Sequence, residues 1–207
     1  MPWKGNAPMP PCNKAQQQEI IDAVARLRGA GRQAAEDLLD DMGAEELCRV
    51  LHAMRRWYSY NCWNAAKKIL PHRKKLTAAM DLDPEDVVGV YRGIRVPQNH
   101  ELAEVDPRDE VKLSMDRGGD RNGGCSSWTL QRKFANRFSG KQPGKVGLVV
   151  RIVDPLGSKP FIAPPSRSAP WFNTLYKATM GESFRFNEME YALQGKWQLV
   201  EVVAVKR

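Results

Sequence analysis

The sequence predicts an α+β fold, and three observations carry that prediction. Apolar residues recur at helical spacing through roughly the first third of the chain, short runs rich in branched and aromatic residues take over after Pro84, and one helix-like repeat interrupts those runs. Residues 1 to 18 are rich in proline and end in the triplet Gln16, Gln17 and Gln18, with little apolar content, and read as a tail that need not pack. From residue 19 to 70 the apolar positions are Ile20, Ile21, Val24 and Leu27, then Leu47, Val50, Leu51 and Met54. Gly29, Gly31, Gly43 and Pro71 divide this stretch, and Glu45 and Glu46 fall where the positive end of a helix favours acid, so three to four helices are expected.

Strands are expected at residues 87–96, 146–153, 190–193 and 197–205, each bounded by Gly or Pro. Leu130, Phe134 and Phe138 repeat every fourth residue and predict a helix, with Thr129 placed to cap its first turn. Residues 97–124 and 155–187 read as long loops, and five of the 14 prolines fall between Pro155 and Pro170. The expected organisation is a tail over 1–18, a helical region over 19–85 packed on the core, and a core over 86–207.

Composition narrows the functional classes. With 207 residues, 42% hydrophobic and 27% charged, the chain can bury a core, which excludes disorder throughout. The 32 Lys and Arg against 24 Asp and Glu give +8, which favours acidic partners such as a nucleotide phosphate or a nucleic acid. No run approaches the ~18 apolar residues of a membrane helix. The opening residues lack an apolar segment that could act as a signal peptide, so a cytoplasmic protein without a membrane partner is expected. Cys12, Cys48, Cys62 and Cys125 lie far apart, and reduced thiols are expected. Cys48 and His52, one helical turn apart, followed by Cys62 and His72, are the one arrangement to weigh for zinc, but Cys48 continues an apolar helix face, so no metal is expected.

Three motifs read as chemistry. In Tyr91-Arg92-Gly93 a cation interrupts an apolar strand; a guanidinium there can hold a diphosphate, and Gly93 lets another group approach the backbone closely, while the plain alternative is an Arg paired with a carboxylate. In Ser126-Ser127-Trp128-Thr129 the hydroxyls can cap the following helix or pin the edge of a pocket whose apolar wall is Trp128. In Glu188-Met189-Glu190 the two carboxylates share a strand face and either are solvated or flank a cation or a charge developing in a transition state.

An Arg, then a Ser, then E-x-E on successive strand-like segments resembles the R-S-E class of mono-ADP-ribosyltransferases. The likeness runs through Phe134-Ala135-Asn136-Arg137-Phe138 and Trp197-Gln198-Leu199-Val200 and covers about residues 87–207. It implies a split pair of β-sheets holding NAD as co-substrate, with no metal. Arg92 would brace the nicotinamide ribose and phosphates, the Gly93 backbone would hold the carboxamide, and Ser127 would shape the nicotinamide pocket. The family usually has Ser-Thr-Ser or a similar triplet; here Trp128 and Thr129 fill the second and third places. Glu190 would match the catalytic glutamate and Glu188 the one that orients the acceptor, and E-x-E goes with arginine acceptors. The loop before the glutamates is where the family recognises its target, with Trp171, Phe172, Tyr176, Phe184 and Phe186 in range.

Between Arg49 and Lys75 lie eight basic residues and no acidic one, interleaved with Trp57, Tyr58, Tyr60 and Trp63, a mixture that suits nucleic acid or an acidic protein surface, or else a solvated helix face. The expected function is transfer of ADP-ribose from NAD to an arginine of a target protein. Small enzymes of this kind resemble those that bacteriophages use on host proteins, including transcription or translation machinery, in the host cytoplasm; an exported toxin is another setting. The alternatives are an acceptor on nucleic acid, an NAD glycohydrolase, and a basic nucleic-acid-binding protein without catalysis.

Overall fold

The computed structural model describes residues 12–60, 68–114, 125–162, 169–181, 191–195 and 197–207, with the side chains at 56–60, 84, 86, 125, 159–162, 192 and 194 left aside. Among them are five α-helices and seven strands, a mixed α+β architecture that divides into two compact units. Unit 1 comprises residues 1–82, 121–123 and 161–186, and unit 2 comprises 83–120, 124–160 and 187–207.

In unit 1, helix α1 (Lys14–Arg26) starts at a capping box: Asn13 Oδ1 accepts from Gln16 N at 2.8 Å, and Gln16 Oε1 accepts from Asn13 N at 3.3 Å. The glutamine triplet is therefore helix, and the expected tail over 1–18 is corrected at its inner end, because Asn13 and Gln16 supply cap chemistry that a polar composition conceals. Helix α2 (Gly29–Tyr60) is broken at Gly43, whose φ of 74° and ψ of 154° are non-helical and suit a residue without Cβ. Helix α3 (Arg73–Ala79) follows a 3₁₀ turn at Leu70–His72. Ile20, Ala23 and Val24 of α1 and Leu38, Leu47, Leu51 and Met54 of α2 are buried. Cys12 and Cys48 form a disulfide, which corrects the expectation of reduced thiols: 36 residues apart in sequence, they meet because α1 returns along α2.

Unit 2 carries two sheets. The first, ordered β1-β4-β7-β2, is antiparallel and consists of β1 (Tyr91–Pro97), β4 (Lys145–Asp154), β7 (Trp197–Lys206) and β2 (Glu110–Ser114). The second, ordered β3-β6-β5, consists of β3 (Cys125–Trp128), β6 (Tyr191–Gln194) and β5 (Lys159–Ile162). The core of the unit gathers Val96, Val146, Leu148, Val150, Ile152, Leu113, Val200 and Val202 from the first sheet with Trp128 and Leu193 from the second.

Helix α4 (Arg132–Phe138) lies against β1 and β4 on the other face of the first sheet. Its cap is Gln131 rather than Thr129, whose Oγ1 accepts from Gln131 N at 3.1 Å in the turn before the helix. Of the three residues whose repeat predicts it, only Phe134 is buried, while Leu130 and Phe138 are exposed. Its last carbonyls accept from cations of the sheet, Lys206 Nζ to Asn136 O at 2.7 Å and Arg95 Nε to Gly140 O, just past the helix, at 2.9 Å.

The expected loops hold elements. Residues 97–124 contain β2, and residues 155–187 contain β5 and helix α5 (Pro170–Met180), whose Phe172, Leu175, Tyr176 and Thr179 are buried in unit 1. No helix among the described residues is long and apolar enough to cross a membrane.

Candidate functional site

The strand run from Tyr91 to Pro97 alternates between two environments. Arg92, Ile94 and Val96 share the core face, and Tyr91, Gly93 and Arg95 share the face toward α4. Arg92 is thus a partly buried cation on a face otherwise made of Ile and Val, and desolvation holds its guanidinium down to about 10, below the usual arginine range. Its guanidinium carbon lies 5.8 Å from the centre of the Trp128 ring, a cation–π contact.

Gly93 is tightly constrained on its other side. A Cβ there would stand 1.9 Å from Ala135 O and 2.8 Å from Ser139 N, so the group that approaches its backbone is the end of α4. Its own backbone groups point elsewhere. Tyr91 exchanges backbone bonds with Thr129, N to O at 2.7 Å and O from N at 2.9 Å, on the side of β1 away from β4. Peptide groups two residues apart on a strand point the same way, so the N–H and C=O of Gly93 face outward from this edge strand as well, where a carboxamide could pair with both.

Strand β3 divides the hydroxyl motif between two faces. Trp128 is buried and its Nε1–H donates to Ser126 Oγ at 2.8 Å, which places Ser126 and Trp128 on the core face. Ser127 and Thr129 share the opposite face; Ser127 is half-buried and Thr129 buried. The structure therefore brings Arg92 and Trp128 together and puts Ser126, rather than Ser127, beside that pair. The alternation of faces along a strand is the sequence signal for this arrangement.

Strand β6 pairs with β3 so that Tyr191 lies opposite Trp128 and Leu193 opposite Ser126. Glu190 immediately precedes Tyr191 in the chain, but it and Glu188 lie outside the described residues, as do Phe184 and Phe186. Of the other aromatics within range of the target-recognition loop, Phe172 and Tyr176 are core residues of unit 1. Trp171 is half-exposed and lines a cavity of about 700 Å³ in unit 1 with Ala30, Gly31, Ala34, Ala78 and Thr174.

The basic block is partly neutralised by acids from the preceding turns. Arg49 pairs with Glu45 and, at 3.4 Å, with Glu46; His72 Nε2 meets Glu46 Oε1 at 2.9 Å; Lys75 Nζ meets Asp41 Oδ1 at 4.0 Å. Trp63, Cys62 and the side chains of Trp57, Tyr58 and Tyr60 lie outside the described part of the structure. The zinc arrangement weighed from sequence is also rearranged, since His72 is taken up by Glu46 while Cys12 joins Cys48 and His52.

Comparison with protein-family models, with curated proteins and with solved structures finds no match for this chain.

Proposed function

We propose that this chain is an NAD-dependent mono-ADP-ribosyltransferase that moves ADP-ribose onto an arginine of a target protein and releases nicotinamide. The observation that carries the reading is the desolvated Arg92 on Trp128, beside the outward edge of Gly93. A guanidinium presents a planar fork of donors that can hold a diphosphate bidentately, and NAD carries one. The two sheets of four and three strands support the finer reading, an ADP-ribosyltransferase-like split pair of sheets.

Breaking the nicotinamide glycosidic bond leaves an oxocarbenium-like sugar, as in glycoside hydrolysis. In this reading the Glu190 carboxylate accepts from the ribose 2′-hydroxyl and stabilises that charge, and Arg92 holds the phosphates. Gly93 holds the carboxamide, Ser127 and Thr129 on one face of β3 shape the nicotinamide pocket, and Trp128 on the other face backs Arg92. Glu188 binds the acceptor guanidinium and takes its proton, which a poor nucleophile requires. No step calls on a metal. The setting that goes with this chemistry is a bacteriophage enzyme acting on host transcription or translation machinery in the host cytoplasm.

The test incubates wild type, Glu188→Gln and Glu190→Gln with labelled NAD and bacterial lysate, then divides each sample between nuclease and protease. The expected result is label that survives nuclease, disappears with protease and is absent from both variants. Label lost to nuclease would move the acceptor to nucleic acid. No label and no nicotinamide release would overturn the enzyme reading.

A further inference from the structure

Unit 1 holds a side-chain cluster that the transferase chemistry does not use. Cys12 immediately precedes the Asn13 cap of α1, while Cys48 and His52 are one turn apart on α2. One ligand atom from each of the three lies within 4.8 Å of the others, and the cluster is buried. Cys12 and Cys48 are 8% and 0% exposed. A disulfide needs two residues, and here a third donor of a metal-binding kind stands on the same spot. Gln16, whose Oε1 is held by the capping box, donates from Nε2 to His52 Nε2 at 3.3 Å, and a metal bound at this imidazole nitrogen displaces that hydrogen bond.

We propose that in the reduced protein Cys12, Cys48 and His52 bind a zinc ion, so that the junction of α1 and α2 is held by a disulfide in one redox state and by a metal in the other. Two thiolates and an imidazole suit zinc among the common divalent ions, and three protein ligands leave a fourth position to water. A dithiol reductant opens the site. Its two sulfurs join as the Cys12–Cys48 bond breaks, two electrons pass to the cysteines, and each takes up one proton. Zinc then displaces both thiol protons and binds the two thiolates with one imidazole nitrogen. The site is independent of the NAD chemistry and serves to keep α1 pinned to α2 where disulfides are reduced.

The test uses the full chain, reduced with a phosphine and titrated anaerobically with cobalt(II), a probe whose thiolate charge-transfer and tetrahedral d–d bands report the ligand set; zinc is then added as competitor. Reduced wild type is expected to take up one cobalt per chain with those bands and to yield it to zinc, while the unreduced protein takes up none. His52→Ala and Cys12→Ser are each expected to weaken binding about tenfold or more. Circular dichroism checks that each variant keeps its helices, and both substitutions avoid the fully buried Cys48. Absence of stoichiometric cobalt in the reduced wild type, or wild-type affinity in either variant, would overturn the proposal.

Discussion

Arg92 bears two opposing demands, since burial penalises the charge that the proposed NAD binding requires. Its folded-state pKa of about 10 lies below the usual arginine range, so above about pH 10 the unfolded chain holds a proton that the folded chain lacks. Raising the pH above that value therefore favours folding, and below about pH 10 the penalty is present in full. Arg92→Met removes the cation while keeping a side chain of comparable length. Relative to this variant, wild type is expected to hold a constant deficit up to about pH 9 and to gain stability only as the pH rises through about 10 and above, read as the difference of the two urea midpoints at each pH. A difference that stays constant through that rise would show that desolvation of Arg92 does not burden the fold. Arg92 was legible in the sequence because a cation in an apolar strand is conspicuous. The contact of Ser126 with Trp128 was not, because it depends on the alternation of faces along a strand of only four residues.

At the scale of elements, α4 is seated on the sheet by two missing side chains. Gly147 repeats what Gly93 does: a Cβ there would stand 1.9 Å from Ser139 O, a backbone atom that cannot rotate away. Gly147 lies outside the proposed NAD contacts, so Gly147→Ala isolates the packing role. It is expected to cost about 3 kcal/mol, at the upper end of overpacking, measured by urea denaturation, with the lost stability shared by the sheet and α4. The strands β4 and β7 were legible because each is a long apolar run between turn residues. Helix α5 was missed although Phe172, Leu175, Tyr176 and Thr179 follow helical spacing and Pro170 suits a first turn. The prolines around it read as loop, and a proline at a helix start looks the same as one in a loop until the residues after it are counted. Strands β2, β3 and β5 span only four or five residues each, too short for a period to stand out.

At the scale of the molecule, the α+β class was legible because helical and strand periods occupy different parts of the chain. The allocation of segments to units was not, since no local signal says which body a helix joins. The Cys12–Cys48 bond closes a loop of 36 residues within unit 1. Its removal in Cys12→Ser is expected to cost about 2–4 kcal/mol relative to oxidised wild type, read as a lower thermal midpoint of the helical signal. The place of α5 in unit 1 has a further consequence during synthesis. The chain leaves the helices near residue 82, builds β1 to β4, and returns with residues 161–186 to finish the body it began. A ribosome therefore releases α1 and α2 long before the helix that packs on both of them has been made. Unit 1 cannot close in step with translation; its apolar surface must wait, open to chaperones or to other nascent chains, until the last fifth of the polypeptide emerges.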